Sequence, residues 1–530
     1  MKVLISDKLS PQGVAYLEQQ PGIEVADRPG ISPQELLQEV GDAEALLVRS
    51  KTKVTAEVLA SASQLKAIGR AGAGVDNIDL KAATAQGILV MNTPGGSSVS
   101  VAEHVFGLML ALARNIPSAH ASLSKGRWLK PSLTGTELNG KSLGVVGLGK
   151  IGSLVAQRGR AFGMDLLAYD PFISQEYAQS LGIELCTLEQ VFEESDFISL
   201  HLPFNDKTRG LVGRALLERM KPQACLINAA RGGLIQEEDL IEALEKGRIA
   251  GAGLDVFASE PQVNPRLLQC KRLVATPHIA GSTVEAQTKV GYGIAVQIAD
   301  FLLRGIISNA VNFPSVSPEE RERLMPYLRL GERLGALVSG VCSIRYSQIG
   351  IRYYGEVGQL NYKPVSNRIL KSVLQPNLSE EVNDINSRSR AQERGIEVVE
   401  TISSRARGHS NLISIQLRSA NQMSWVEGAV MHQGKNYLVS VDGIPIEARL
   451  GKRLLFIRNQ DRPGVIGQVG TILGDSGVNI ASFVLGRNQQ QADAVGVAIV
   501  DDPVPQEVLR RIGEIPAIRY AQVIEFGLKG

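Results

Sequence analysis

Leu143-Gly144-Val145-Val146-Gly147-Leu148-Gly149-Lys150-Ile151-Gly152 is an apolar run that ends in three glycines spaced GxGxxG. Glycine is common here, 54 of 530 residues, so the context must decide what the spacing means. Residues 143–146 read as a buried strand and 151–161 as a helix, which puts the glycines at a strand-to-helix turn. There Gly147 permits the tight turn, Gly149 lets a phosphate approach the backbone, and Gly152 lets the helix pack on the strand. The free N–H groups of the helix start suit a pyrophosphate. Eighteen residues beyond Gly152, Asp170 closes a second strand, where a carboxylate accepts hydrogen bonds from a ribose and repels a 2′-phosphate. NAD is therefore expected in preference to NADP.

Outward from this loop, strand patterns at 143–146, 165–169, 197–200, 225–228, 253–256 and 273–275 alternate with helices, as a doubly wound nucleotide-binding sheet requires. Residues 1–97 carry the same alternation and predict a separate parallel α/β sheet. The helical stretch 99–113, apolar at Val101, Val105, Leu108 and Leu112, bridges the two. Another helix is expected from 282 to about 305, then a proline-bearing linker over 309–326. Residues 327–448 mix helix patterns, such as 328–337, with strand patterns, such as 343–354 and 411–417. The last stretch reads strand, helix, strand, strand, helix, strand, a ferredoxin-like order. Its first helix shows Val465, Val469, Ile472 and Leu473 on one face and ends at Gly474–Gly477.

Three further stretches carry chemistry: Asn228-Ala229-Ala230-Arg231-Gly232-Gly233, Asp255-Val256-Phe257-Ala258-Ser259-Glu260-Pro261, and Thr276-Pro277-His278-Ile279-Ala280-Gly281. Oxidising a 2-hydroxy acid needs a cation to hold the carboxylate, a base to take the hydroxyl proton, and a carboxylate to orient that base. Arg231, His278 and Glu260 supply one of each, and Arg231 and His278 each follow a buried strand. His201 also ends a strand but has no evident acidic partner, so it reads as structural or cofactor-adjacent. His104 sits in a helix, and His120, His409 and His432 show no partners.

Composition bounds the alternatives. A chain with 44% hydrophobic and 21% charged residues is ordinary for a soluble globular protein, and its length implies three or four domains. A net charge of +2 gives no electrostatic case for nucleic acid or an anionic membrane. Cys186, Cys225, Cys270 and Cys342 are scattered without a CxxC pair, so reduced thiols, no metal site and a cytoplasmic location are expected. Residues 1–7 read as a first strand rather than a signal peptide, and no run reaches the roughly 20 apolar residues of a membrane span.

These motifs resemble the D-isomer-specific 2-hydroxyacid dehydrogenases, and the resemblance runs over essentially the whole chain. It implies that Arg231, Glu260 and His278 are catalytic. It also implies that Lys150, Ile151, Asp170, Ala229, Ala230, Arg231 and the segment His278 to Gly281, Ala280 included, line the cofactor beside Gly147, Gly149 and Gly152, with Asp255 near the nicotinamide. Within the family the chain is similar to the long branch that oxidises 3-phosphoglycerate at the entry to serine synthesis. That substrate adds a phosphate to the carboxylate held by Arg231. By resemblance, Arg49, Ser50, Arg70, Gly72, Ala73 and Gly74 would contact it, while Trp128 and Lys130 would reach into a neighbouring subunit. Alternatives with the same triad are a glycerate or glyoxylate reductase and an NAD-binding corepressor.

Asn459-Gln460-Asp461-Arg462-Pro463-Gly464-Val465, followed by Gly477-Val478-Asn479-Ile480, resembles the ACT module, a small amino-acid-sensing domain. Pro463 and Gly464 turn a strand end into a helix N-terminus that can receive a carboxylate, and Asp461 and Asn479 can bind an amino group. By resemblance the effector is L-serine, held at Asn459, Asp461 and Asn479, and the assembly a homotetramer. Asn459 departs from the histidine or tyrosine of many relatives. The expected architecture is α/β. A Rossmann-type NAD domain (98–281) is inserted in a flavodoxin-like substrate domain (1–97 and 282–310). An α+β intervening domain (317–448) follows, of the kind assigned to substrate-level control, and then a ferredoxin-like ACT domain (452–530).

Overall fold

The computed structural model describes all residues except 343, 404–410, 432–433, 489–491 and 527–530. Short strands of four residues, most of them apolar and each bounded by turns or helices, form the first sheet: β1 (Lys2–Ile5), β2 (Glu24–Asp27), β3 (Ala45–Val48), β4 (Ala67–Arg70) and β5 (Leu89–Asn92). They are parallel in the order β2-β1-β3-β4-β5, the flavodoxin-like arrangement. The helix Val284–Arg304 returns to this sheet: a Cβ on Gly69 would lie 2.8 Å from Ile294 and 3.0 Å from Ile298, so β4 and the helix pack at glycine distance. Val290, Ile294 and Ile298 are buried there, each worth about 1.5–3 kcal/mol of burial.

The second sheet holds β6 (Ser142–Val146), β7 (Asp165–Tyr169), β8 (Glu184–Leu185), β9 (Phe197–Leu200), β10 (Cys225–Asn228), β11 (Gly251–Leu254) and β12 (Leu273–Ala275). The order β12-β11-β10-β9-β6-β7-β8 reverses between β9 and β6, the switch point where such sheets bind ligands beyond their strand C-termini. Two-residue β8 is too short to announce itself by pattern, so six strands were legible and seven exist. β11 starts and ends two residues earlier than the pattern 253–256 suggests, because Gly251 and Ala252 pair with β10. The bridging helix is Ser98–Ala113, with Val101, Val105, Phe106, Leu108 and Met109 buried against the nucleotide sheet.

The linker expected over 309–326 is corrected at both ends. Residues 309–311 hydrogen-bond along β5, Val311 N–H to Val90 O at 2.7 Å, so they extend the first sheet. A helix then starts at Pro318, not after Pro326, and runs to Val341. Ser317 and Glu320 form a reciprocal capping box, and Pro318 occupies the first turn, where its missing N–H costs nothing. Pro326 is accommodated inside the helix, its carbonyl taking a hydrogen bond from Asn436 Nδ2.

A third sheet runs β14-β13-β15-β16-β17-β18, built from β13 (Gln348–Gly355), β14 (Glu397–Ser403), β15 (Asn411–Arg418), β16 (Met423–Met431), β17 (Lys435–Val441) and β18 (Ile444–Arg449). The strand expected from 343 starts at Gln348, and residue 343 itself lies outside the described residues. β19 (Arg453–Gln460), β20 (Ile480–Asn488), β21 (Asp493–Val500) and β22 (Ile518–Glu525) form the last, antiparallel sheet in the order β20-β21-β19-β22. With the helices Val465–Asp475 and Gln506–Gly513 this is the ferredoxin-like βαββαβ unit.

Candidate active site

β6 delivers the glycine loop. Gly147 has φ +100°, and a Cβ there would lie 2.8 Å from His201 O. A Cβ on Gly152 would sit 1.9 Å from Gly147 O, so only glycine lets the helix Lys150–Ala161 start this close to the strand. Gly149 faces open space and caps that helix without a side-chain hydrogen bond, which leaves its N–H groups available. Asp170, just past β7, accepts from Leu148 N–H at 2.8 Å and Phe172 N–H at 2.9 Å, which fixes the carboxylate beside the loop. An open helix start, a glycine-only cradle and a fixed carboxylate fit a dinucleotide.

β10, β11 and β12 end at the same edge and deliver Arg231, Asp255 and His278. His278 Nδ1 lies 2.7 Å from Glu260 Oε2, and Phe257 N–H binds the other carboxylate oxygen at 3.0 Å. The imidazole is 51% exposed, and Nε2 has no partner among the described residues. His278 adopts φ +54°, a conformation costing a non-glycine residue about 1–3 kcal/mol, and its N–H is held by Asp255 O at 2.9 Å. Asp255 is fully buried. It accepts from Thr276 Oγ1 at 2.6 Å, Ile279 N–H at 2.9 Å and Ala280 N–H at 2.8 Å, and His104 Nε2 stands 3.4 Å away. Burial pushes this carboxyl up, but the His104, Thr276 and amide hydrogen bonds outweigh it and hold the group below its ordinary range. Its carboxylate is spent on the strained loop that presents His278.

Arg231 reaches across to the first sheet. Its Nε donates to Asp76 Oδ2 at 3.1 Å and its Nη1 to Ala230 O at 2.7 Å, leaving Nη2 beside Gly74, where a Cβ would lie 2.1 Å away. Asn228 Nδ2 holds the Arg231 carbonyl at 2.9 Å. Arg70, at the end of β4, lies under the same loop: a Cβ on Gly72 would lie 1.5 Å from its Nη1. Burial, then the like charges of Arg231 and Arg49, lower the Arg70 guanidinium to about 10, so it stays charged at neutral pH but is strained by its surroundings. Its Nε is buried without a partner. Arg49 is anchored by its N–H to Asp7 Oδ2 at 2.6 Å and by Nη1 to Lys8 O at 3.2 Å. Arg49 and Arg231 lie close enough to Arg70 to repel it, with Asp76 and Asp7 as the nearby acids, so this wall carries an excess of positive charge suited to an anion.

Other expected residues stand elsewhere. Trp128 is 77% exposed on the arm beyond helix Ile116–Ser124, and Lys130 starts a short 3-10 turn beside it. Among the described residues neither is tied to the arginine wall. Ser50 is exposed beside Arg49. His201 is half-buried against Ser199 Oγ at 2.8 Å, and desolvation of its ring lowers it to about 4, so it is neutral. His409 and His432 lie outside the described residues. The sequence offered no signal for Asp76 and no role for His104 or Thr276, since each finds its partner only through tertiary contact. A cavity of about 850 Å³ lies between the two sheets along the flank of helix Lys150–Ala161, yet none of Arg231, Glu260 and His278 lines it. The four cysteines are unpaired, and no cluster of potential metal ligands occurs among the described residues.

In the last unit, Asn459 Nδ2 donates to Gln460 O at 2.7 Å, Asp461 pairs with Arg487 at 3.5 Å, and Asn479 Nδ2 donates to Asp501 at 2.7 Å. Gly464, at φ +87°, starts the helix Val465–Asp475 with no side-chain cap.

Residues 106–280 match the model of the D-isomer specific 2-hydroxyacid dehydrogenase NAD binding domain, 323–442 that of the D-3-phosphoglycerate dehydrogenase intervening domain, and 453–517 that of the ACT domain. The chain is 42% identical to the D-3-phosphoglycerate dehydrogenase of Synechocystis sp. over 99% of its own length and 94% of that protein. It is also 42% identical to the enzyme of that name from Methanocaldococcus jannaschii, over 99% of both chains. Among solved structures, the TT0316 protein of Thermus thermophilus is similar at 35% identity and a TM-score of 0.54, covering 59% of this chain and 100% of that one. D-lactate dehydrogenase from Escherichia coli is similar at 31% identity and a TM-score of 0.53, with coverage of 59% and 100%. The chain belongs to the D-isomer-specific 2-hydroxyacid dehydrogenases, in their NAD-dependent D-3-phosphoglycerate dehydrogenase family.

Proposed function

We propose that this protein oxidises 3-phospho-D-glycerate to 3-phosphohydroxypyruvate with NAD, the entry step to serine synthesis. The observation that carries the reading is the His278–Glu260 pair at 2.7 Å, on the sheet edge where Arg231 also emerges, set against the Arg49 and Arg70 wall of the first sheet. NAD bound along Gly147–Gly152 supplies the hydride acceptor. His278 takes the hydroxyl proton at Nε2 while Glu260 holds Nδ1–H, fixing the tautomer and stabilising the imidazolium that forms. Arg231 holds the substrate carboxylate through Nη2, with Asp76 steadying Nε. Arg49 and Arg70 hold the phosphate, aided by the Ala73 and Gly74 amides, the Gly72 N–H being donated to Thr93 Oγ1 at 2.8 Å. A cavity of about 140 Å³ bordered by Lys8, Ser10, Arg49 and Thr288 adjoins that wall.

L-serine is the effector in this reading, entering at the uncapped start of helix Val465–Asp475 and drawing Asp461 and Asn479 away from Arg487 and Asp501. The exposed Trp128 arm is the surface of a homotetramer, through which Trp128 and Lys130 complete a partner's phosphate pocket. A cytoplasmic location fits the unpaired cysteines. No single helix among the described residues is long and apolar enough to cross a membrane. Initial rates of NADH formation with 3-phosphoglycerate and D-glycerate, each with and without L-serine, test the reading. Preference for the phosphorylated acid supports it, and equal rates overturn the phosphate assignment.

A further inference from the structure

His278 sits on a loop whose two ends are tied to one face of the bridging helix Ser98–Ala113. At the first end, His104 Nε2 lies 2.9 Å from Thr276 Oγ1. At the second, Ser100 Oγ lies 2.8 Å from Thr283 Oγ1, the hydroxyl that caps helix Val284–Arg304. Ser100 and His104 are one turn apart, so they stand one above the other on that helix. Between the two ties the loop backbone rests against the helix start: a Cβ on Gly281 would lie 3.4 Å from Ser97 Cβ.

Counting donors places the protons of the first tie. Asp255, an ionised carboxylate, can only accept. Thr276 has a single hydroxyl proton, and it goes to Asp255 Oδ1 at 2.6 Å. The proton between His104 and Thr276 therefore comes from the ring, so His104 carries Nε2–H and donates it to Thr276 Oγ1. The same Nε2 stands 3.4 Å from Asp255 Oδ1, where its N–H dipole also faces the buried charge. Thr276 passes the constraint on, because its carbonyl accepts the His278 N–H at 3.0 Å, beside the bond from that N–H to Asp255 O at 2.9 Å. Asp255 fixes the far side of His278 through the Ile279 and Ala280 N–H groups. The φ of +54° at His278 thus rests on a chain of hydrogen bonds that starts at His104.

We propose that His104 is a positioning residue for the catalytic base: from the bridging helix it holds the Thr276–Asp255 pair, and through that pair it keeps the His278 imidazole on Glu260 with Nε2 open to the cleft. The inference rests on His278 as the base of the proposed reaction. His104 acts through the loop and takes no proton itself. A side chain that cannot donate leaves Thr276 Oγ1 without its donor and Asp255 with one facing dipole fewer, and the loop gains freedom to leave the strained turn.

The test is steady-state NADH formation from 3-phosphoglycerate by the full-length protein, by His104→Leu and by His104→Gln. Leucine fills much the same space without a donor, and the glutamine amide N–H reaches about where Nε2 stands. In His104→Leu, kcat should fall by about tenfold, the scale of one hydrogen bond, with KM and NADH affinity within about twofold of the unaltered protein. His104→Gln should recover most of the lost kcat. Thr276→Val removes the shared hydroxyl and should match His104→Leu, which keeps the proposal testable where the leucine variant folds poorly. Unchanged kcat in His104→Leu, a glutamine variant no faster than the leucine one, or NADH affinity falling together with kcat overturns it. Crystal structures of the unaltered protein and His104→Leu read the loop without turnover: a His278–Glu260 pair drawn apart in the variant supports the role, and an undisturbed pair overturns it. An unaltered protein inactive on 3-phosphoglycerate would sink the proposed reaction alone, and the crystal structures would still decide the role of His104.

Discussion

Arg231 of the nucleotide sheet and Asp76 of the first sheet meet at 3.1 Å, 155 positions apart in sequence, across the cleft that the proposed substrate enters. The pair is partly exposed, so it adds at most about 1 kcal/mol to stability. Its role in the account is orientation: Nε is occupied and Nη2 is left to the substrate. Asp76→Asn should raise KM for the hydroxy acid about two- to fivefold with kcat nearly unchanged. Arg231→Lys, which loses the planar fork, should lower kcat/KM by about 100-fold. Steady-state kinetics of the two variants check both.

Glu260 and His278 predict a different pattern. His278→Asn should lower kcat by about 10²–10⁴-fold with NADH affinity nearly unchanged, because it removes the proton acceptor and leaves the glycine loop intact. Glu260→Gln can accept from only one of Phe257 N–H and His278 Nδ1–H and loses the charge that stabilises the imidazolium, so kcat should fall, though by less than in His278→Asn, while KM moves little. Fluorescence titration with NADH separates binding from turnover.

Gly152→Ala places a methyl carbon 1.9 Å from Gly147 O, a contact that only backbone movement relieves. The helix start must back away from the loop, and NADH affinity should drop by about tenfold or more. Gly149→Ala, facing open space, should leave the fold intact and affect only the approach of the cofactor.

His201 gives a pH prediction. Its folded value of about 4 lies below the ordinary value of 6.5, because burial disfavours the charged ring. The unfolded chain therefore binds a proton that the folded chain refuses between pH 6.5 and 4. The stability due to the neutral ring is complete above pH 6.5 and declines as pH falls through that window, by about 3 kcal/mol in all. His201→Asn should flatten this part of the stability profile, measured as thermal midpoints from about pH 7 to about pH 4.

The nucleotide sheet was largely legible because its strands are continuous apolar runs bounded by turns: β7, β9, β10 and β12 fall on the ranges their patterns define. β8, two residues long, and the capping box at Ser317, hidden inside a proline-bearing stretch read as linker, were not. In the site, Glu260 and His278 were legible as a pair because alcohol oxidation needs both, and the fold closes their 18-position separation to a hydrogen bond. Asp76, His104 and Thr276 were not, because a side chain recruited through tertiary packing leaves no spacing to read. Asp255 was legible as a site residue, but its observed contacts are to the His278 loop, a role visible only once its burial is known.

The central claim is that the arginine wall selects a phosphorylated 2-hydroxy acid for the His278–Glu260 base. Its most direct test is kcat/KM for 3-phosphoglycerate against D-glycerate in the unaltered protein and in Arg70→Gln. The account predicts strong preference for the phosphorylated acid, collapsing by about tenfold or more in the variant while the rate with D-glycerate holds. Equal rates on the two acids, or a preference untouched by Arg70→Gln, would contradict it.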